Sequence, residues 1–137
     1  MLRVSKSQRR DAGHSAFVDR IVRHMQLHYF QDVAFLSPEV LRGRVVHCIE
    51  RGRACGFTFE RSLAVFTANM MRINPKFHEQ KDVARLLADA SLPEQERLEG
   101  LVTEIRPRAW DEAERQCDAA EYWRAVDQAM ADPNGEE

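Results

Sequence analysis

Residues 55–77 read CGFTFERSLAVFTANMMRINPKF. Phe59, Leu63, Phe66, Met70 and Ile73 recur at spacings of four, three, four and three, which is one face of a helix of period 3.6. Thr58 stands where a hydroxyl accepts an orphan amide hydrogen at a helix start. Pro75 stops the helix, because it pushes Asn74 out of helical geometry and has no N–H to donate. The stretch therefore predicts a helix over 59–73, the central element of an all-α protein.

Toward the N-terminus, Ser37-Pro38-Glu39 is a helix start: a serine cap, a proline in the first turn and an acid beside it. That helix is expected to run to Ala54, with Leu41, Val45, Cys48, Ile49 and Gly52 inward and Gly56 as a left-handed cap. Before it, QDVAFL (31–36) reads as a linker. A first helix is expected over 7–30, with Phe17, Ile21 and Met25 as its stripe, joined by Val18, Val22 and Tyr29. Arg9, Arg10, Arg20 and Arg23 lie mainly off that stripe, Gly13 weakens its early turns, and residues 1–6 are expected to fray.

Toward the C-terminus, residues 80–90 predict a short helix with Val83, Leu86, Leu87 and Ala90 inward. Ser91-Leu92-Pro93-Glu94 repeats the start signature, and Leu98, Leu101, Val102 and Ile105 carry the next helix. After Arg106-Pro107, a last helix is expected over 107–131, with Trp110, Ala113, Cys117, Ala120 and Trp123 or Arg124 as its stripe. Its small residues predict a close helix–helix approach. Residues 132–137 read as a disordered acidic tail. The expectation is a single helical domain over 1–131, a compact bundle of five to six helices.

With 137 residues, the chain is long enough to bury a core without disulfides or metal. Its three cysteines are odd in number and have no CxxC spacing, which fits reduced core thiols. No apolar run approaches the ~20 residues of a membrane helix, so no membrane partner is expected. The opening MLRVSKSQRR lacks the apolar centre of a secretory leader, so a cytoplasmic location is expected. Charge is uneven: residues 1–78 carry a net +7 and residues 79–137 a net −9. Either the halves pair internally or they meet different partners.

The chemistry-bearing residues do not assemble a catalytic signature. His24 and His28 are four apart, as metal ligands on one helix face would be, but there is no intervening glutamate base and no obvious third ligand. His47 and Cys48 are adjacent, so they point about 100° apart and do not form a base–nucleophile pair; a buried Cys48 beside an exposed His47 is expected. Glu114, Asp118 and Glu121 are expected to share one helix face as a solvated row. Arg42, Arg44, Arg51 and Arg53 form a basic cluster without an aromatic stacking platform, so nucleic acid is not the expected partner. No enzymatic activity, cofactor or metal is expected. Trp110, Tyr122 and Trp123 stand out, because the adjacent pair must point in different directions and aromatics are enriched at interfaces.

The pattern resembles a family of small helical proteins encoded beside type VI secretion genes in Gram-negative bacteria. The resemblance lies in the MLRVSKSQ opening, in VVHCIERGRACGFTFERSLAVFTANMMRINPKF, and in LADASLPEQERLEGL. The matching positions in the central segment are Ala54, Gly56, Phe57, Met70, Met71, Asn74, Pro75 and Phe77. Cys55 stands where the family has an aromatic, and His78-Glu79-Gln80-Lys81 where it often has acids and a tryptophan. The resemblance implies an effector chaperone or adaptor whose partner is a type VI effector, a spike or PAAR component, or another adaptor. The alternatives are an immunity protein that neutralises a cognate toxin and a small metal-dependent enzyme using His24 and His28. With Phe57 and Phe77 added, the candidate partner-binding residues are Trp110, Tyr122, Trp123, Phe57 and Phe77.

Overall fold

The computed structural model describes the backbone of residues 6–131 and the side chains of residues 14–131. The expectations for residues 1–5 and for the tail, and the side-chain placements of Arg9 and Arg10, lie outside the described residues. The described chain is all-helical. It runs α1 (Lys6–His28), α2 (Phe30–Val33), α3 (Pro38–Ala54), α4 (Glu60–Arg72), a 3-10 turn (Phe77–Glu79), α5 (Lys81–Leu87), α6 (Glu94–Thr103), α7 (Pro107–Ala113) and α8 (Ala119–Ala131). None of these helices is long and apolar enough to cross a membrane.

Among the described residues, eight α-helices replace the expected five to six, for two local reasons. The supposed linker contains α2, a single turn that buries Val33. The supposed last helix breaks between Ala113 and Ala119. The break is built around Asn74, whose amide nitrogen donates to Glu114 O (3.1 Å) and Cys117 O (2.9 Å). Asp118 then starts α8 by accepting the Glu121 amide. Cys117 is therefore in the connection and Ala120 is exposed, so the expected stripe does not form; Trp123, not Arg124, is the buried residue.

α3 matches its sequence signals residue by residue. Ser37 accepts the Val40 amide, Pro38 opens the helix, and Leu41, Val45, Cys48, Ile49 and Gly52 are buried. At its end the Phe57 amide reaches Gly52 O and the Gly56 amide reaches Arg53 O. That paired pattern requires the left-handed conformation that Gly56 adopts, with φ of 94°. It turns the chain so that Phe57 enters the core.

α3, packed on α1, α4 and α8, is the centre of the bundle. Phe17, Val18, Ile21 and Met25 of α1 are buried against it, as their spacing requires. Phe66 stacks at tilted angles between Phe57 (5.9 Å) and Phe77 (5.2 Å), tying α4 to the turns on both sides of it. Gly52 allows the close α3–α4 approach: a Cβ there would lie 2.7 Å from Leu63 Cδ2.

Two caps differ from expectation. Thr58 does not cap α4 with its own oxygen. Phe59 is the cap residue, in extended geometry, and its ring leaves the helical stripe and is exposed. α6 begins at Glu94 without a serine cap; Ser91 instead bonds Asp89. Ala90, expected inward, is exposed because α5 has already ended at Leu87.

Candidate functional site

The five aromatic residues singled out from sequence are packing residues to different degrees. Phe57 and Phe77 are fully buried in the core, and Trp123 is buried. Trp110 and Tyr122 are half-buried and packed against that core. The fold brings Phe77 and Trp110 together as stacked rings 6.4 Å apart, and sets Tyr122 edge-on to Trp123. This arrangement presents no fully exposed aromatic to a partner from the set.

Tyr122 and Trp123 instead fasten α8 onto α3. His47 Nε2 and the Tyr122 hydroxyl are 2.6 Å apart. Arg44 grips Asp127 through two hydrogen bonds of 3.0 and 2.9 Å while its guanidinium lies 5.0 Å over the Trp123 ring. His47 is thus half-buried rather than exposed, and burial holds its pKa below the ordinary histidine value, with Arg51 adding to the effect. Burial likewise pushes the Cys48 thiol up, which makes it a core group rather than a nucleophile.

The basic cluster is partly consumed by the fold. Arg42 pairs with Asp19 and donates to Ser15, Arg44 pairs with Asp127, and Arg53 lies over Phe17. Among the described residues, Arg44–Asp127 is the ion pair that joins the basic half to the acidic half; Arg20–Glu60 and Arg72–Asp32 stay within the first. The row Glu114, Asp118 and Glu121 does not share a face, because the helix that would have aligned them breaks there. His24 and His28 do meet, with ring centroids 4.8 Å apart. Burial and the neighbouring His28 lower the His24 pKa. No group of three potential ligands forms among the described residues.

What sequence periodicity did not reveal is a set of large apolar side chains left outside the core. Leu27, Phe30, Phe35, Phe59 and Val102 are each more than three-fifths exposed. Four of them fall in two places, at opposite ends of α4. Leu27 and Phe30 line a cleft of about 510 Å³ beside Arg72, where α4 ends. Phe59 and Val102 line a groove of about 360 Å³ between α4 and α6, floored by Val65 and Leu98. Val102 was expected to face inward; α6 instead buries Gly100 and Leu101 and turns Val102 out, at 85% exposure.

The α4–α6 groove is closed at one end by an inter-helix cap. Glu94 accepts the Phe59 amide (2.9 Å), the Thr58 amide (3.1 Å) and the Thr58 hydroxyl (3.2 Å). Burial opposes the charge on Glu94, but bonds from Ser62, Phe59 and Thr58 outweigh it and hold the carboxyl below its ordinary value. The cap fixes the Phe59 backbone while its ring remains outside. On the other side of α6, a cleft of about 700 Å³ against α5 is lined by Asp82, Asp89, Glu96, Glu99 and Glu104, with Arg85 and Arg106. Glu99 lines both depressions.

No protein-family model, no curated protein and no solved structure matches the chain.

Proposed function

We propose that this is a non-enzymatic protein-binding accessory protein, acting as a chaperone or adaptor for a type VI secretion effector. The observation that carries the binding role is the α4–α6 groove, where exposed Phe59 and Val102 stand with Val65 and Leu98 among the polar Arg61, Gln95 and Glu99. Contiguous apolar surface rimmed by polar residues is the property of a docking site. The α4–α6 groove supports an amphipathic helix laid between two helices, a recurring mode of peptide recognition. The secretion pathway rests on the sequence resemblance alone. Cytoplasmic action belongs to the same reading.

The second reading is an immunity protein, favoured by the acidic α5–α6 cleft, since toxin neutralisation commonly uses charge complementarity. One experiment separates the two. The tagged protein is purified from its native cells beside a Val102→Glu, Phe59→Ser variant, and bound proteins are identified and mapped. A spike, PAAR or effector loading region held by the wild type and lost by the variant supports the adaptor. A toxin domain alone, with protection of cells from that toxin, replaces it with immunity. Partners held equally by both proteins sink the docking surface.

A further inference from the structure

The two depressions beside α6 have one wall in common, and that wall is charged. Glu99 lines the apolar α4–α6 groove and also the α5–α6 cleft. In the cleft, Asp82, Asp89, Glu96, Glu99 and Glu104 outnumber the arginines Arg85 and Arg106, with Arg97 also acting on Asp89. None of these five carboxylates forms an ion pair among the described residues. The apolar groove therefore meets, at Glu99 on its α6 edge, a cleft with an excess of negative charge. Its α4 edge carries Arg61.

We propose that the α4–α6 groove is the docking site for an amphipathic helix of a partner protein bearing lysine or arginine along the edge that overlies α6. This rests on the docking role proposed above and adds the chemistry of the occupant. Apolar side chains of that helix cover Phe59, Val65, Leu98 and Val102. Its basic edge reaches over α6 to Glu99 and the cleft carboxylates, where each opposite charge gains from the excess of acids. The ten residues of α6 offer a track of about 15 Å, which matches an occupant of two to three turns. A second copy of this chain is disfavoured as occupant. Two copies meeting with α6 on α6 would set these carboxylates against one another, whereas a basic edge on a different chain meets them with opposite charge.

The test is a selection from a displayed library of single helices with randomised surface positions, using the folded chain as bait. Peptides with an apolar stripe at i, i+3, i+4 and i+7 and a flank rich in lysine or arginine are expected to enrich. A selected peptide should lose about tenfold or more in affinity on Val102→Glu, Phe59→Ser and about fivefold on Glu99→Lys, with the charge effect shrinking at high salt. Phe59, Val102 and Glu99 are exposed, so these variants keep the fold. Enrichment of acidic flanks, equal binding to the double variant, or no enrichment at all overturns the proposal. So does concentration-dependent dimerisation of the bait that Val102→Glu, Phe59→Ser abolishes. If the native partner is still lost on the double variant while acidic peptides enrich, the docking surface stands and only the basic occupant falls.

Discussion

Asn74 and Cys117 hold each other at two points. The Asn74 amide nitrogen donates to Cys117 O at 2.9 Å, and the Cys117 thiol donates to Asn74 Oδ1 at 3.2 Å. The same side chain also serves Glu114 O and the Lys76 amide, so its donors and its acceptor are all used in a nearly water-free site. One asparagine therefore shapes the turn after α4 and fixes the corner between α7 and α8.

Asn74→Ala should cost about 2 to 4 kcal/mol, because two carbonyls and one amide lose their partner in a buried place. Urea unfolding measures the loss. Amide exchange should rise first across residues 114–118. A uniform rise over the whole chain would mean that Asn74 does not act on that corner.

Glu94→Ala should lower stability by about 1 kcal/mol at neutral pH, the usual worth of a helix cap. The sign with pH follows from the lowered carboxyl. Its contribution is full above the ordinary glutamate value of 4.5 and is lost as the pH falls through the lowered folded value. The difference between wild type and variant should therefore close in acid. A gap independent of pH would show that the charge on Glu94 does not matter.

α8 should loosen in mild acid. His47 is held neutral by burial, so below the ordinary histidine value of 6.5 the unfolded chain takes up a proton that the folded chain resists. Stability should fall as the pH drops below 6.5, and His24 and His78, also lowered by burial, add to the fall. Tyr122→Phe should cost about 1 kcal/mol by removing the hydroxyl next to His47. Amide exchange of α8 between neutral and mildly acidic pH reads the effect directly; unchanged α8 protection would refute it.

Gly52→Ala should destabilise by about 1 to 3 kcal/mol, since the new methyl meets the fully buried Leu63 and Phe66 side chains. Gly43→Ala should cost less, because the nearest atom is Met130 Cβ at 3.2 Å on half-exposed α8. Thermal unfolding of the two variants gives the order; equal effects would mean that the α3–α4 contact yields more easily than its geometry implies.

Core and surface aromatics should separate cleanly. Trp123→Ala should lower stability by about 3 to 5 kcal/mol, as deletion of a buried indole does. Phe59→Ser should leave the melting temperature nearly unchanged and weaken partner binding. Calorimetry and a binding titration on the same samples compare the two. A Phe59 variant that melts early would place that ring in the core.

The helical class, α3 from its serine cap to Gly56, the α1 stripe and the α4 stripe from Leu63 to Ile73 were legible because period and cap chemistry act within one or two turns. The break at 114–118 was legible only at its far side, where Asp118 and Glu121 have the spacing of a helix start; the end of α7 carries no local signal. Residues 107–131 have no proline or glycine inside to announce it, and its cause is an asparagine forty residues away. How far the candidate aromatics are covered was not legible for the same kind of reason: type and spacing identify Trp123 as amphipathic, but Arg44 and His47 of α3 decide that it is covered.

Local sequence by itself thus determined where α3 begins, which faces of α1, α3 and α4 are apolar and where a left-handed glycine must turn the chain, because these depend on neighbours three or four residues away. The tertiary structure alone decided which apolar residues stay outside. Val102 belongs to the same periodic stripe as Leu98 and Leu101, yet the way α6 packs, with Gly100 against Leu86 and Leu101 in the core, leaves no room on the inside for it. The groove exists because Glu94 ties α6 to the start of α4, a contact across thirty-five residues that no local pattern encodes.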